Sequence, residues 1–212
     1  MLGWNNNSDE ARTMQHYFNP MSRGITTHWM LLELEAEHEP VVVDFQAGES
    51  QTPDYLAMNP MGKVPVLVDD GVVVTEVAAI CTYLADKFPA KNMAPPLDSN
   101  QRGKYYRYLF FPGTTLEPMF TARQFGLEDK AATGTAGWGD LEHCLASIDA
   151  MTPDSDWVLG ETFSAADVVF GGFLDFAVTF GWLVEPSAKV SEYLARLKAR
   201  PAYRASHDES WY

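Results

Sequence analysis

Two turns in this chain place reactive or anion-binding groups where a helix can use them. The first, Asn19-Pro20-Met21-Ser22-Arg23-Gly24, joins a short apolar run from Met14 to Phe18 to a helical pattern from Ile25 to Glu35. A strand-to-helix turn of this kind aims backbone N–H groups and the positive helix end at whatever lies above it. The Ser22 hydroxyl there reads in two ways. It is an ordinary helix cap, or it donates a hydrogen bond to a thiolate and so holds that sulfur ionised near neutral pH. The second turn, Thr75-Glu76-Val77, opens another helix and offers another anion seat.

Other chemistries lack their residues. The five histidines, His16, His28, His38, His143 and His207, make no closely spaced metal-binding motif with cysteine or acidic partners, and no metal is expected. His28 falls on a helix and reads as a packing or surface histidine in preference to a base. Cys81 and Cys144 stand 63 positions apart, with no Cys-x-x-Cys pair for two-thiol exchange. Two such cysteines cannot build a disulfide framework, and they suit a reducing, cytoplasmic setting. No glycine-rich dinucleotide or P-loop motif is present, and no Gly-x-Ser-x-Gly elbow.

The elements that must position the two turns follow from periodicity and punctuation. Met14 to Phe18 reads as a strand ended by Asn19-Pro20, and Ile25, Trp29 and Leu32 share one helical face. Val41 to Phe45 is a second strand, Ala47 to Thr52 a loop, and Pro53 to Met58 a short helix. Two apolar runs flank Asp70-Gly71 between Val64 and Val74, which predicts an antiparallel hairpin. Pro65 lacks a backbone donor and belongs at the start or unpaired side of its strand. A helix then carries Val77, Ile80, Cys81, Leu84 and Phe88. A helix in the first connection and a tight turn in the last predict a mixed sheet in an α/β unit.

Beyond Pro89 the pattern changes. Residues 90–99 are rich in proline and small or polar residues and read as a linker; after them only helical patterns occur. Helices are expected over Gln101 to Phe111, Ala131 to Ala150, from Ser164 onward, and over Ser187 to Lys198. Ser164 and Asp167 have capping-box spacing, with Phe163 and Val168 placed as a hydrophobic staple. Asp167 is therefore expected to fold its helix, without a catalytic role. The expected organisation is an extension over 1–11, an α/β domain over 12–89, a linker over 90–99, an all-helical domain over 100–204 and a tail over 205–212.

The chain of 212 residues is 46% hydrophobic and 21% charged, which is enough for a real core. Its net charge of -14 repels phosphate backbones and anionic lipid, so neither nucleic acid nor membrane is expected as a partner. Residues 1–10 lack the basic and apolar regions of a signal peptide. They read as a frayed extension or as an arm docked through Trp4. The most apolar stretch, Val168 to Val184, is interrupted by Asp175 and glycines and reads as a buried helix.

Taken in order, three stretches resemble the cytosolic glutathione transferases: Phe18 to Gly24 with its helix, Tyr55 to Leu67 continued by Val74 to Ile80, and Leu159 to Val168. The Asn-Pro-Met-Ser-Arg-Gly opening is similar to a bacterial group with a serine-type motif. The resemblance covers residues 12 to 204. It implies a thioredoxin-like N-terminal domain with a mixed four-stranded sheet, an all-helical C-terminal domain and a homodimer. It also implies reduced glutathione as cosubstrate, with no metal. Pro65 matches the family's cis-proline, preceded by Val64, whose backbone faces the cysteinyl part of glutathione. Glu76 and Val77 match the pair that holds the γ-glutamyl end, and Lys63 and Gln51 are assigned to the same binding site. Ser22 matches the thiolate-stabilising hydroxyl, with Arg23 as its neighbour and alternative.

The sequence departs from the family at one of these positions. Val77 stands where a serine is common, which removes one hydroxyl donor to the ligand. The implied reaction is conjugation of the glutathione thiolate to a small, mainly apolar electrophile. That partner is expected to meet Tyr106, Phe110 and Phe120, with Arg123 at the edge. Two alternatives stay open: a glutathione-dependent peroxidase, reductase or lyase on the same fold, and a non-catalytic binding protein.

Overall fold

In a computed structural model, residues 13–127 and 134–211 are described. The extension expected over 1–11 and the start of the helix expected from Ala131 lie outside them. The N-terminal half is built on strands β1 (Met14–Phe18), β2 (His38–Val42), β3 (Val66–Asp69) and β4 (Val72–Thr75). Their order in the sheet is β2-β1-β3-β4. β2 runs parallel to β1, while β3 and β4 are antiparallel to their neighbours, so the sheet is mixed as expected. Helix α1 (Gly24–Glu33) makes the β1-to-β2 crossover. A short helix α2 (Pro53–Met58) follows β2, and α3 (Val77–Lys87) follows the hairpin.

The period-2 pattern of β1 turns Met14, His16 and Phe18 into the core and leaves Gln15 and Tyr17 half-buried on the other face. Asp70 and Gly71 both take positive φ, 47° and 82°, as a tight right-twisted hairpin needs. β2 starts and ends three residues earlier than the Val41–Phe45 expectation. Parallel pairing from Met14↔His38 to Phe18↔Val42 fixes its length, and an edge strand tolerates Pro40. The Asp44 carboxylate then accepts from the N–H groups of Gln46 and Ala47, which turns the chain away from the sheet.

The C-terminal half is all helical: α4 (Gln101–Phe111), α5 (Glu117–Gln124), α6 (Leu141–Met151), α7 (Ala165–Thr179), α8 (Ala188–Lys198) and α9 (Pro201–Ser206). The sequence pattern predicts no separate helix at α5 or α9. A π-helical turn, Pro112–Leu116, joins α4 to α5, and α9 begins on Pro201, where a missing N–H costs nothing. α6 begins ten residues later than expected, because residues 134–140 form turns containing Gly134, Gly137 and Gly139. Asp140 caps it by accepting from His143 N–H at 2.8 Å.

Helix α7 is the axis of this half, with most of its length buried. Asp167 accepts from Ser164 N–H at 3.0 Å and from the Ser164 hydroxyl at 3.2 Å, closing the expected capping box. Its other oxygen accepts from Val158 N–H at 2.8 Å and the Tyr193 hydroxyl at 3.0 Å, tying α7 to α8. The linker is docked as well: Met93 is buried, and its carbonyl accepts from Ala165 N–H at 2.8 Å. Helix α1 lies between the sheet and the helical half. Gly172 of α7 permits this closeness, since a Cβ there would sit 3.0 Å from Thr26 Oγ1. Among the described residues no helix is long and apolar enough to cross a membrane.

Candidate functional site

Strand register gathers the predicted turns at one end of the sheet. Tyr17 of β1 pairs with Val66 of β3, and Val66 pairs with Thr75 of β4. The turn after β1, the segment before β3 and the turn after β4 therefore emerge side by side. These carry Ser22, Val64-Pro65 and Glu76-Val77. The parallel strand β2 ends on the same side and leads to a 3₁₀ turn, Glu49–Gln51.

Two Asn-Pro pairs hold these loops by the same device. The Asn19 side-chain oxygen accepts from Met21 N–H at 2.9 Å, while its amide donates to the Val43 carbonyl at 2.9 Å. The Asn59 oxygen accepts from Met61 N–H at 3.1 Å, and its amide donates to the Lys63 carbonyl at 2.8 Å. Each asparagine closes its own turn and staples it to a neighbouring segment. The shared Asn-Pro spelling of the two turns is the sequence signal for this common device. The Tyr55 hydroxyl also donates to the Lys63 carbonyl, at 2.8 Å. The backbone is thus pinned just before the Val64–Pro65 peptide bond, which is cis.

Ser22 is half-buried at the start of α1. Its hydroxyl donates to the Asn19 carbonyl at 2.7 Å and accepts from Gly24 N–H at 3.0 Å. The hydroxyl therefore acts as a cap here. Rotating its proton from a neutral carbonyl onto an anion would exchange an ordinary bond for a charge-assisted one, about twice as strong. Arg23 is oriented otherwise. Its guanidinium turns into the helical half, donating to Thr26 Oγ1 and the Gly172 carbonyl, both at 3.1 Å. It lies over the rings of Phe173 and Phe176 with Glu117 3.6 Å away, and burial lowers its pKa against the opposing pull of Glu117. Its charge is engaged at the contact between halves, which leaves its backbone N–H as the group it has to offer beside Ser22.

Glu76 holds φ 71°, ψ 127°, a strained conformation for a side-chain-bearing residue, immediately before α3. Val77, the first residue of that helix, is half-buried against the core. Gln51 and Lys63 are both exposed near the pinned loop. The Gln51 amide donates to the Gly62 carbonyl at 3.3 Å. Gly62, at φ 61°, leaves room for it, since a Cβ would fall 2.3 Å from Gln51 Nε2.

The aromatic residues expected at a second-substrate face separate. Tyr106 and Phe110 are exposed on α4 with ring centroids 6.4 Å apart, and the Arg102 guanidinium lies 5.8 Å from the Tyr106 ring. Arg123 is exposed on α5. Phe120 corrects the expectation: it points inward from α5, is 2% exposed, and packs near Phe173 and Trp182. Neither cysteine is a nucleophile at neutral pH. Burial pushes the Cys81 thiol up to about 12, with nearby Arg23 opposing, and Cys144 up to about 11.

Comparison with known proteins gives a consistent result. The model of the family described as glutathione S-transferase, N-terminal domain, matches residues 13–86. Glutathione S-transferase GstA of Escherichia coli O157:H7 is 30% identical over 192 residues, covering 89% of this chain and 94% of that protein. A sphingomonad glutathione S-transferase solved in complex with glutathione is similar at 29% identity and a TM-score of 0.75, covering 91% of this chain and 96% of that one. A glutathione transferase homolog from sulfitobacter with bound glutathione is similar at 26% identity and a TM-score of 0.76, covering 94% and 99%.

Proposed function

The chain belongs to the glutathione S-transferase family, and within it we propose that this protein transfers the thiolate of reduced glutathione to a small, mainly apolar electrophile. The observation that carries this reading is the convergence of the Ser22 turn, the pinned Val64–Pro65 segment and the Glu76-Val77 helix start at one end of the sheet. Glutathione would supply the nucleophilic sulfur. Ser22 would donate a hydrogen bond from its hydroxyl to that thiolate, with the N-terminus of α1 adding favourable potential. The backbone of Val64 would take the cysteinyl part, and Glu76 with the Val77 N–H the γ-glutamyl end, with Gln51 and Lys63 beside them. Tyr106 and Phe110 offer apolar surface to the electrophile, with Arg123 at its rim. The proposal includes a homodimer in the cytoplasm and needs no metal.

Thiol titration and turnover test the role of Ser22 together. Ser22→Ala should raise the pKa of enzyme-bound glutathione by about one unit or more and lower kcat/KM about tenfold. Ser22→Thr, which keeps a hydroxyl, should recover part of both. An unchanged titration and rate in Ser22→Ala would sink the assignment. Val77, which withholds a ligand donor, favours a second reading: a non-catalytic glutathione-transferase-like protein acting through binding or subunit assembly. It would be preferred if no panel of electrophiles gave a glutathione-dependent rate proportional to purified protein.

A further inference from the structure

Folding gathers three histidines that stand 12 and 10 positions apart in the chain. His16 lies in the middle of β1, His28 is buried on α1, and His38 opens the edge strand β2. One potential ligand atom from each lies within 4.8 Å of the other two. The ring centroids are 5.7 Å apart for His28 and His38, 5.8 Å for His16 and His28, and 6.2 Å for His16 and His38. Three imidazoles bound to one ion through nitrogen bonds of ~2.0–2.1 Å would bring their centroids to roughly 5–5.5 Å. A contraction of about 1 Å or less closes the gap, together with a rotation of the His16 or His28 ring out of their parallel stack, whose planes are 1° apart.

The surrounding hydrogen bonds decide which nitrogens bear protons. His38 Nδ1 is 2.8 Å from the Ala36 carbonyl. A carbonyl only accepts, so Nδ1 is protonated and Nε2 carries a bare lone pair. The Thr27 hydroxyl gives its one proton to the Gly24 carbonyl at 2.9 Å, so its oxygen accepts from His16 Nε2–H at 2.8 Å. That assigns a bare lone pair to His16 Nδ1. Both lone-pair atoms are buried without a hydrogen-bond partner, and so are both ring nitrogens of His28. Two lone pairs cannot satisfy one another, and a buried polar atom left unpaired is destabilising.

The remaining features agree with a cation as the missing partner. A ring nitrogen fixed by a carbonyl or hydroxyl, with the opposite nitrogen free, is how protein structures orient a metal-binding histidine. The Phe18 and Trp211 rings each lie 4.5 Å from the His28 ring and wall the cluster, with half-buried His38 at the sheet edge. An all-imidazole donor set selects zinc-like transition ions over magnesium or calcium, which prefer oxygen.

The geometry assigns to His16, His28 and His38 a binding site for one divalent transition-metal ion of the zinc type, bracing α1 against β1 and β2. Three protein ligands leave a fourth position for water. The proposal does not depend on the transferase reading.

Chelator-stripped, folded protein titrated with Co²⁺ alone tests it directly. The expected result is saturation at one ion per chain, with the visible ligand-field bands of four-coordinate cobalt displaced by Zn²⁺. His38→Gln, at the most accessible ligand, and His28→Phe, which fills similar space, should each weaken binding at least about 100-fold. Zn²⁺ should raise Tm in the wild type and in neither variant. Circular dichroism of the stripped proteins checks that they fold alike; if His28→Phe does not fold, His38→Gln alone carries the test. Unchanged affinity in the folded variants overturns the proposal. So does the lack of stoichiometric binding by wild type, in which case an ordered water bridges the lone pairs.

Discussion

Val77 sets the strength of the proposed ligand site by what it withholds. A valine there keeps its backbone N–H and lacks the hydroxyl that a serine would add. A hydrogen bond to a charged ligand group is worth roughly 1.5–3 kcal/mol, and 1.4 kcal/mol is tenfold in affinity. Val77→Ser is therefore expected to tighten the Kd for reduced glutathione about tenfold by calorimetry, while losing about 1 kcal/mol of stability from its half-buried packing. An unchanged Kd would mean that the γ-glutamyl end is held without this position. Asp167 shows a different residue-level balance. Burial pushes its carboxyl up to about 6 from 3.8, against hydrogen bonds from Val158, Tyr193 and Ser164 that pull it down. The native state thus holds a proton that the unfolded chain has released between those values, so this residue's contribution to stability falls as pH rises from about 4 through 6. At about 1.4 kcal/mol per unit, the loss is on the order of 3 kcal/mol. Urea unfolding at pH 4 and pH 7 should show that decline in wild type relative to Asp167→Asn, whose amide does not ionise. Parallel curves would contradict it.

At the scale of elements, α4 and α5 carry aromatic residues of like type and opposite duty. Helical period decides which face each residue occupies, and the joining π turn decides where that face points. Phe120→Ala should cost about 3–5 kcal/mol in denaturant unfolding, because it empties a packed site beside Phe173 and Trp182. Phe110→Ala, at a position 47% exposed, should cost less than about 1 kcal/mol and instead raise KM for apolar electrophiles. The reverse ranking in stability would refute the inward placement of Phe120. The strand-to-helix turns have a comparable division of labour. Asn19 and Asn59 hold the backbone in place around Ser22 and Val64, the residues proposed to face the ligand.

Across the whole molecule, α1 is shared by both halves and is fastened to the helical one by charge. Arg200, just before α9, donates both arms of its guanidinium to Glu33 at 2.6 Å, and Trp29 Nε1 donates to the same carboxylate at 2.8 Å. The Glu33 side chain is only 7% exposed. Removing Arg200 leaves a buried charge with much of its compensation gone, at a cost of about 3–5 kcal/mol. Removing both partners in Glu33→Leu/Arg200→Met should cost less than Arg200→Ala alone. Thermal unfolding of the three variants measures this, and a double variant less stable than the single one would show that the pair is net stabilising. The Arg23 contacts to Gly172 and Glu117 fasten the other end of α1 in the same manner.

The sequence by itself determined the local grammar of this protein. The Asp70-Gly71 hairpin, the Ser164–Asp167 capping box, the proline-marked ends and the order of strand and helix depend on neighbours within a few positions, and such interactions are written in spacing. The family resemblance rested on the same short stretches. Tertiary structure alone decided what depends on residues far apart. The end of β2 was set by pairing with β1, and Phe120 was drawn inward by α7 and Trp182. Arg23 was taken up by a carbonyl 149 positions away, and three scattered histidines were brought within one ion's reach. Side-chain direction and burial are set by which surfaces meet, and a linear pattern lists the surfaces without stating their partners.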